Sequence, residues 1–162
     1  MKAIVIGCPG AGKSTFSIKL GKICSTPVYH LDNIWHKPDR TNISREDFDN
    51  QLRDILSTPS WIIDGNYSRT LQMRIDSCDI VYFLDYSTDV CIDGVLARIG
   101  KPRPDMPWIE NEFYPEFRKW IEDFPKRDLP EIEHCLDNCS ESIKIFRFKN
   151  RTQGDNYLDS LI

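Results

Sequence analysis

Residues 3–14 read Ala3-Ile4-Val5-Ile6-Gly7-Cys8-Pro9-Gly10-Ala11-Gly12-Lys13-Ser14: an apolar run, then a glycine-rich loop that closes on a lysine and a hydroxyl. The stretch from Gly7 to Ser14 matches G-x-x-x-x-G-K-[ST] in full. Its context gives the match weight, because the preceding run has the unbroken apolar character of a strand buried on both faces. A helical pattern begins at Lys13. Gly7, Gly10 and Gly12 let backbone N–H groups approach an anion closely. With Pro9 and Ala11 between them and a helix N-terminus behind, they make a phosphate nest. In such a loop Lys13 reaches the outer phosphates of a nucleoside triphosphate and the Ser14 hydroxyl ligates Mg²⁺, with Thr15 near the innermost phosphate. The expected ligands are ATP and Mg²⁺.

Outward from this loop, short apolar runs alternate with helical patterns, which points to a parallel sheet covered on both faces. The further runs are 27–31, 61–63, 80–84 and 143–148, the last alternating as an edge strand does. Helices are expected from about Lys13 to Ile23, Arg45 to Leu56 with Ser44 as N-cap, Thr88 to Ile99, Glu110 to Asp123, Leu129 to Cys139 and Asn156 to Leu161. Pro115 should bend or split the fourth of these. Residues 100–108, GKPRPDMPW, hold three prolines and cannot be a helix interior.

Acidic residues follow three of the runs. Trp61-Ile62-Ile63-Asp64 puts an aspartate at the carboxyl end of a buried strand, where such folds hold the Mg²⁺ shell or orient the acceptor. Phe83-Leu84-Asp85 does the same. Asp64 is the choice for the metal, with Asp85 capping its strand or the next helix. Asp32 follows the second run and should face the ligand crevice at the strands' carboxyl ends. It is a general base for an acceptor hydroxyl, a metal neighbour through water, or a turn aspartate with Asn33. Trp35 either stacks on a planar acceptor or covers core.

GCPGAGKST at 7–15, HLDNIWHKP at 30–38, WIIDGNY at 61–67, DIVYFLDYS at 79–87, RPDMP at 103–107 and WIEDFP at 120–125 span most of the chain. In that order they resemble the small adenylate-kinase-like proteins called topology-modulation proteins, relatives of the nucleoside-monophosphate and shikimate kinases. The resemblance implies a three-layer α/β P-loop fold with five parallel strands in the order 2-3-1-4-5. It also implies a lid after strand 4, about residues 98–125, and an acceptor pocket between Asp32 and Asp64. The second-strand motif departs from shikimate kinase proper, which carries two acids two apart; here Asp32 is followed by Asn33 and Ile34. No N-K-x-D guanine motif precedes the last run.

Arg98, Lys101 and Arg103 crowd one end of the proline-rich stretch. An arginine from a closing loop stabilises the charge that phosphoryl transfer spreads over oxygen. Arg98, at a helix end and supported by the resemblance, is preferred, with Arg103 second. Gly65, Asn66 and Tyr67 should wall the acceptor pocket. Arg69, Arg74 and Arg127 could hold an anionic acceptor or make surface ion pairs. Asn150 and Arg151 fall where such folds lay a loop against adenine.

The chain has 162 residues, and its 21 Lys and Arg against 25 Asp and Glu give a net charge of −4. That balance argues against a general nucleic-acid binder. The length suits one domain, 1–162, with little room for the acceptor-binding insert of larger kinases. No stretch has the apolar length of a signal core or membrane span. A cytoplasmic monomer or weak dimer is expected, acting on a small acceptor. The alternative is a nucleotide-dependent regulator or, as the resemblance's name suggests, a DNA-topology-associated factor, with slow chemistry. The six cysteines lack C-x-x-C spacing and are expected to be reduced. Cys8, inside the nest, should have a lowered pKa.

Overall fold

Nothing polar interrupts β1 (Lys2–Gly7), and Ala3, Ile4, Val5 and Ile6 are each completely buried. It runs parallel to β3 (Trp61–Asp64) on one side and β4 (Ile80–Leu84) on the other. β2 (Val28–His30) pairs outside β3, and β5 (Lys144–Phe148) outside β4. The computed structural model, which describes residues 1–162, thus has one parallel sheet in the order β2-β3-β1-β4-β5. This is the expected order. The three inner strands are continuously apolar because helices cover both faces. β5 alternates and lies at the edge, with Lys144, Ile145 and Arg147 exposed.

The helices follow local rules. α1 (Lys13–Cys24) starts directly off the glycine-rich loop, and α2 (Leu31–Trp35) is a single turn off β2. α3 (Arg45–Ser57) is capped by Ser44, whose hydroxyl accepts from Asp47 N at 3.0 Å. Its Phe48, Leu52 and Leu56 are buried, one apolar face at helical spacing. Such side chains contribute roughly 1.5–3 kcal/mol each. A 3₁₀ turn (Ser68–Thr70) leads into α4 (Leu71–Ser77), and Ser87 caps α5 (Thr88–Arg98). α6 (Pro115–Arg127), α7 (Leu129–Asp137) and α8 (Arg151–Asp159) complete the chain. No helix is long and apolar enough to cross a membrane.

Two helix starts differ from expectation. The helix foreseen from Glu110 begins only at Pro115, and residues 110–114 carry no helix. Proline belongs at that first position, where its missing N–H costs nothing, so it starts the helix instead of bending it. The last helix begins at Arg151, not Asn156, because the Asn150 side chain accepts from Gln153 N at 3.0 Å and caps it.

Register brings the site together. Asp64 lies opposite both Val5 and His30, and Gly7 lies opposite Leu84, so the carboxyl ends of β1 to β4 meet on one edge of the sheet. In an open parallel sheet that edge is the ligand crevice.

Candidate active site

The glycine-rich loop leaves β1 at Gly7 and enters α1 at Lys13. Gly10 has φ 84°, and a Cβ there would lie 2.0 Å from the Cys91 carbonyl oxygen of α5. Gly12, the N-cap of α1, has φ 93°. A side chain at either position would unseat the loop. Lys13 Nζ donates to Gly7 O at 2.9 Å and Cys8 O at 3.2 Å. Burial pushes its ammonium pKa down, while the nearby Asp32 pulls it back up. Arg151 holds the loop with its planar fork, NH1 donating to Ala11 O and NH2 to Gly10 O, each at 3.0 Å.

Cys8 departs from expectation. Its side chain is buried, 4% exposed, packs in the core and does not line the cleft. The neighbouring Cys91 thiol and burial push its pKa up, not down. No cysteine is in a disulfide.

The acids sort by position. Asp64 is 4% exposed and lies 2.6 Å from His30 Nδ1 through Oδ2. Burial opposes the His30 imidazolium, but the bond to Asp64 and its charge outweigh burial, so the His30 pKa is raised. His30 escaped the sequence reading because its only signal is its register opposite Asp64. Asp85 instead pairs with Arg147 at 2.8 Å and with Lys149, across the β4–β5 edge, and the following helix is capped by Ser87. Of the two strand-end aspartates, Asp64 is the one in the crevice.

Asp32 sits in the first turn of α2, and its Oδ1 accepts from Tyr67 OH at 2.6 Å. Burial and the adjacent Asp32 charge keep that phenol protonated. Asn66 Oδ1 accepts from Gly7 N at 3.2 Å, tying the loop after β3 to the phosphate loop. Arg74 organises the same loop from below. Completely buried, it donates to Gly65 O and Asn66 O at 2.9 Å and to Tyr67 O at 3.1 Å, and burial lowers its pKa to about 10.

The α5–α6 connection folds back over the phosphate loop. Asn33 Nδ2 donates to Pro104 O at 2.6 Å, and Ser14 Oγ donates to Asp105 Oδ2 at 2.9 Å. Asp105 is 6% exposed. Arg103 lies 3.7 Å from Asp105 and 3.4 Å from Glu110, and Arg98 lies 3.7 Å from Glu110. Burial lowers the Arg98 pKa, with Arg103 adding to the effect. The sequence reading missed Asp105 and Glu110; the only hint was an acid between prolines.

A cleft of about 1130 Å³ joins these parts. Its lining includes Pro9, Gly10, Gly12, Lys13, Ser14 and Thr15 of the loop and Asp32, Asp64, Gly65, Asn66 and Tyr67 of the strand ends. Arg98, Arg103 and Arg151 complete the expected residues that it brings together. Gly7 and Ala11 are buried in the loop and do not line it. Trp35 also lies outside, packed edge-on against Phe48 at 5.8 Å. Arg69 is turned to Asp49 through two bonds of 2.8 and 2.9 Å, and Arg127 stacks on the Trp120 ring at 3.6 Å and pairs with Asp128. Asn150 is occupied as a helix cap.

Among solved structures, shikimate kinase from Bacteroides thetaiotaomicron superposes with a TM-score of 0.62 at 18% identity, over 98% of this chain and 94% of that one. Shikimate kinase from Acinetobacter baumannii in complex with shikimate gives 0.63 at 12% identity, over 99% and 90%. The fold is that of a P-loop kinase. Deoxyadenosine kinase from M. mycoides with bound dATP matches more loosely, at 0.50 and 16% identity over 99% of each chain. At these identities the likeness concerns the fold alone. No protein-family profile and no curated protein matches the chain, so the topology-modulation resemblance extends no further than the residues quoted for it.

Proposed function

We propose that this P-loop kinase fold carries an ATP-dependent phosphotransferase that moves the γ-phosphate of Mg·ATP onto a hydroxyl of a small acceptor. The observation that carries this reading is convergence: Lys13 and Ser14, the Asp32 carboxylate, and Arg98 and Arg103 line one cleft. In the reaction the acceptor oxygen bonds the γ-phosphorus as the bond to the β–γ bridging oxygen breaks. The hydroxyl proton passes to Asp32, and ADP leaves. Tyr67 orients Asp32 for this by donating to Oδ1. Lys13, Arg98 and Arg103 balance the charge spread over the transferring oxygens.

The donor set suits Mg²⁺. Ser14 Oγ, Asp64 and the neighbouring Asp105 are oxygen ligands, and Mg²⁺ is typically held by one or two carboxylates together with substrate phosphates. Ser14 and Asp64 would hold the ion, which neutralises phosphate charge when bound. Residues of about 98–125 act as a lid within a single domain, 1–162. Thr15 and the loop N–H groups hold the inner phosphates, while Arg151 acts through the loop carbonyls that it anchors.

The alternative, a nucleotide-dependent regulator, uses the same phosphate site without efficient transfer. Incubation with γ-labelled Mg·ATP and a panel of hydroxyl compounds separates the two. Label on an acceptor supports the kinase. Nucleotide binding without transfer to any member contradicts it.

A further inference from the structure

The hydroxyl of the phosphate loop has a carboxylate partner, and it does not come from a strand end. Ser14 Oγ donates to Asp105 Oδ2 at 2.9 Å, across 91 positions of sequence. A serine hydroxyl has one proton and two lone pairs, so with the proton fixed on Asp105 the lone pairs are left for a cation. In P-loop nucleotide sites Mg²⁺ is held by the loop Ser or Thr together with a strand-end aspartate. Here the strand-end acid, Asp64, makes no bond to Ser14 and is bonded to His30 Nδ1 at 2.6 Å. The acid on Ser14 belongs to the α5–α6 connection.

Asp105 is buried beyond what its own bonds explain. It is 6% exposed, yet the Ser14 hydroxyl is the one group that donates to it. A carboxylate can accept about four hydrogen bonds. Oδ1 receives none, and Asp105 lines the cleft. The neighbouring cations do not make up the difference. Arg103 stands 3.7 Å from Oδ2, too far for a hydrogen bond. His30 bonds Asp64, and Lys13 Nζ bonds Gly7 O and Cys8 O. The Asp105 charge also bears on Asp64, a second buried carboxylate. Taking such groups out of water is costly unless a charge or hydrogen bonds repay it, and a cation beside Ser14 would serve both acids.

The backbone holds Asp105 at this place. Met106 N donates to Arg103 O at 3.5 Å, closing a turn with Pro104 and Asp105 at its corners, and proline favours the first corner. Asn33 Nδ2 ties the turn to α2 through Pro104 O at 2.6 Å. Prolines at 102, 104 and 107 leave the segment less backbone freedom to lose.

Resting on the kinase reading above, we propose that Asp105 is the third protein member of the Mg²⁺ site: it fixes Ser14 Oγ by taking its proton and gives its second oxygen to the cation's shell. The α5–α6 connection thereby carries part of the metal site, and Arg103, two residues before Asp105, is brought to the cleft by the same turn. Binding of the metal–nucleotide pair and seating of the connection become one event.

Asp105→Asn keeps the shape and an oxygen for Ser14 but removes the charge. Titration calorimetry of the full chain with a non-hydrolysable ATP analogue, in Mg²⁺ and again in EDTA, compares it with the wild type. The wild type should bind more tightly in Mg²⁺. Asp105→Asn should lose about tenfold or more of that gain, as when a group that orients a metal ligand is removed, while its affinity in EDTA does not fall. An unchanged gain, or equal losses in Mg²⁺ and in EDTA, overturns the assignment and leaves Asp105 a structural tie. Hydrogen exchange on the wild type checks the same point without a variant. With the analogue bound, residues 100–108 should exchange more slowly in Mg²⁺ than in EDTA, and equal rates contradict the coupling. A wild type that binds no analogue, or binds it equally with and without Mg²⁺, overturns the kinase reading on which the inference rests.

Discussion

The phosphate end and the acceptor end of the cleft are built by different means. At the end proposed to take the phosphates the groups on offer are largely backbone N–H, and their placement comes from a contiguous loop clamped between β1, α5 and Arg151. At the acceptor end the groups are side chains from β2, α2 and the loop after β3, held by Tyr67 on Asp32 and by Asn66 on Gly7. On the proposed kinase reading, the first arrangement would hold the polyphosphate and the second would read the acceptor. The two sets meet at Asn66, which belongs to the second and holds Gly7 N of the first.

Four substitutions probe that contrast. Lys13→Ala strikes the phosphate end and should lower phosphoryl transfer at least about a hundredfold, the loss seen when one preorganised transition-state donor is removed. Steady-state turnover checks it, and a normal unfolding midpoint should accompany the loss. Arg74→Met removes the buried scaffold of the acceptor end and leaves the carbonyls of Gly65, Asn66 and Tyr67 without their donor. A cost of about 3 kcal/mol is expected, read as a midpoint lower by roughly 6–12 °C. Asn66→Ala cuts the side-chain bond that ties the loop after β3 to Gly7 N of the phosphate loop. Titration calorimetry should show nucleotide affinity reduced by roughly tenfold or less, the value of a single such bond. Arg69→Ala removes only a partly exposed ion pair with Asp49. Stability should change by less than about 1 kcal/mol and acceptor affinity not at all. A tenfold loss of acceptor affinity would mean that Arg69 serves the site and does not merely pair with Asp49.

The same contrast explains what could be read from the sequence. The strand, glycine-rich loop and helix around Gly7–Ser14 were legible, because that motif lies within eight positions and the elements that adjoin them. Strand order came from the resemblance, and the unbroken apolar runs agree with it. Asp32 and Asp64 were legible as residues that end strands. Their partners were not: Tyr67 and His30 reach them from 35 and 34 positions away, and Asp105 reaches Ser14 across 91. Arginines misled for the same reason. Arg69 and Arg127 have the charge of an anion clamp, yet Asp49 lies 20 positions from Arg69, and the Trp120 ring lies beneath Arg127 on its own helix. Asn150 carried a readable signal, since Asn followed three positions later by Gln is an N-terminal capping pattern. Cys8 shows the limit of a loop-based argument, because a residue in a nest can still turn its side chain into the core.

The central claim is that this cleft transfers phosphate and does not merely bind nucleotide. The most direct measurement compares Asp32→Asn with the wild type for label transfer from γ-labelled Mg·ATP, with nucleotide affinity determined on the same samples. Losing a general base should slow transfer by roughly 10²–10⁴-fold, while affinity for Mg·ATP stays within a few-fold, because Asp32 faces the acceptor. Equal transfer by the two proteins, or a loss matched by an equal loss of nucleotide affinity, would contradict the account.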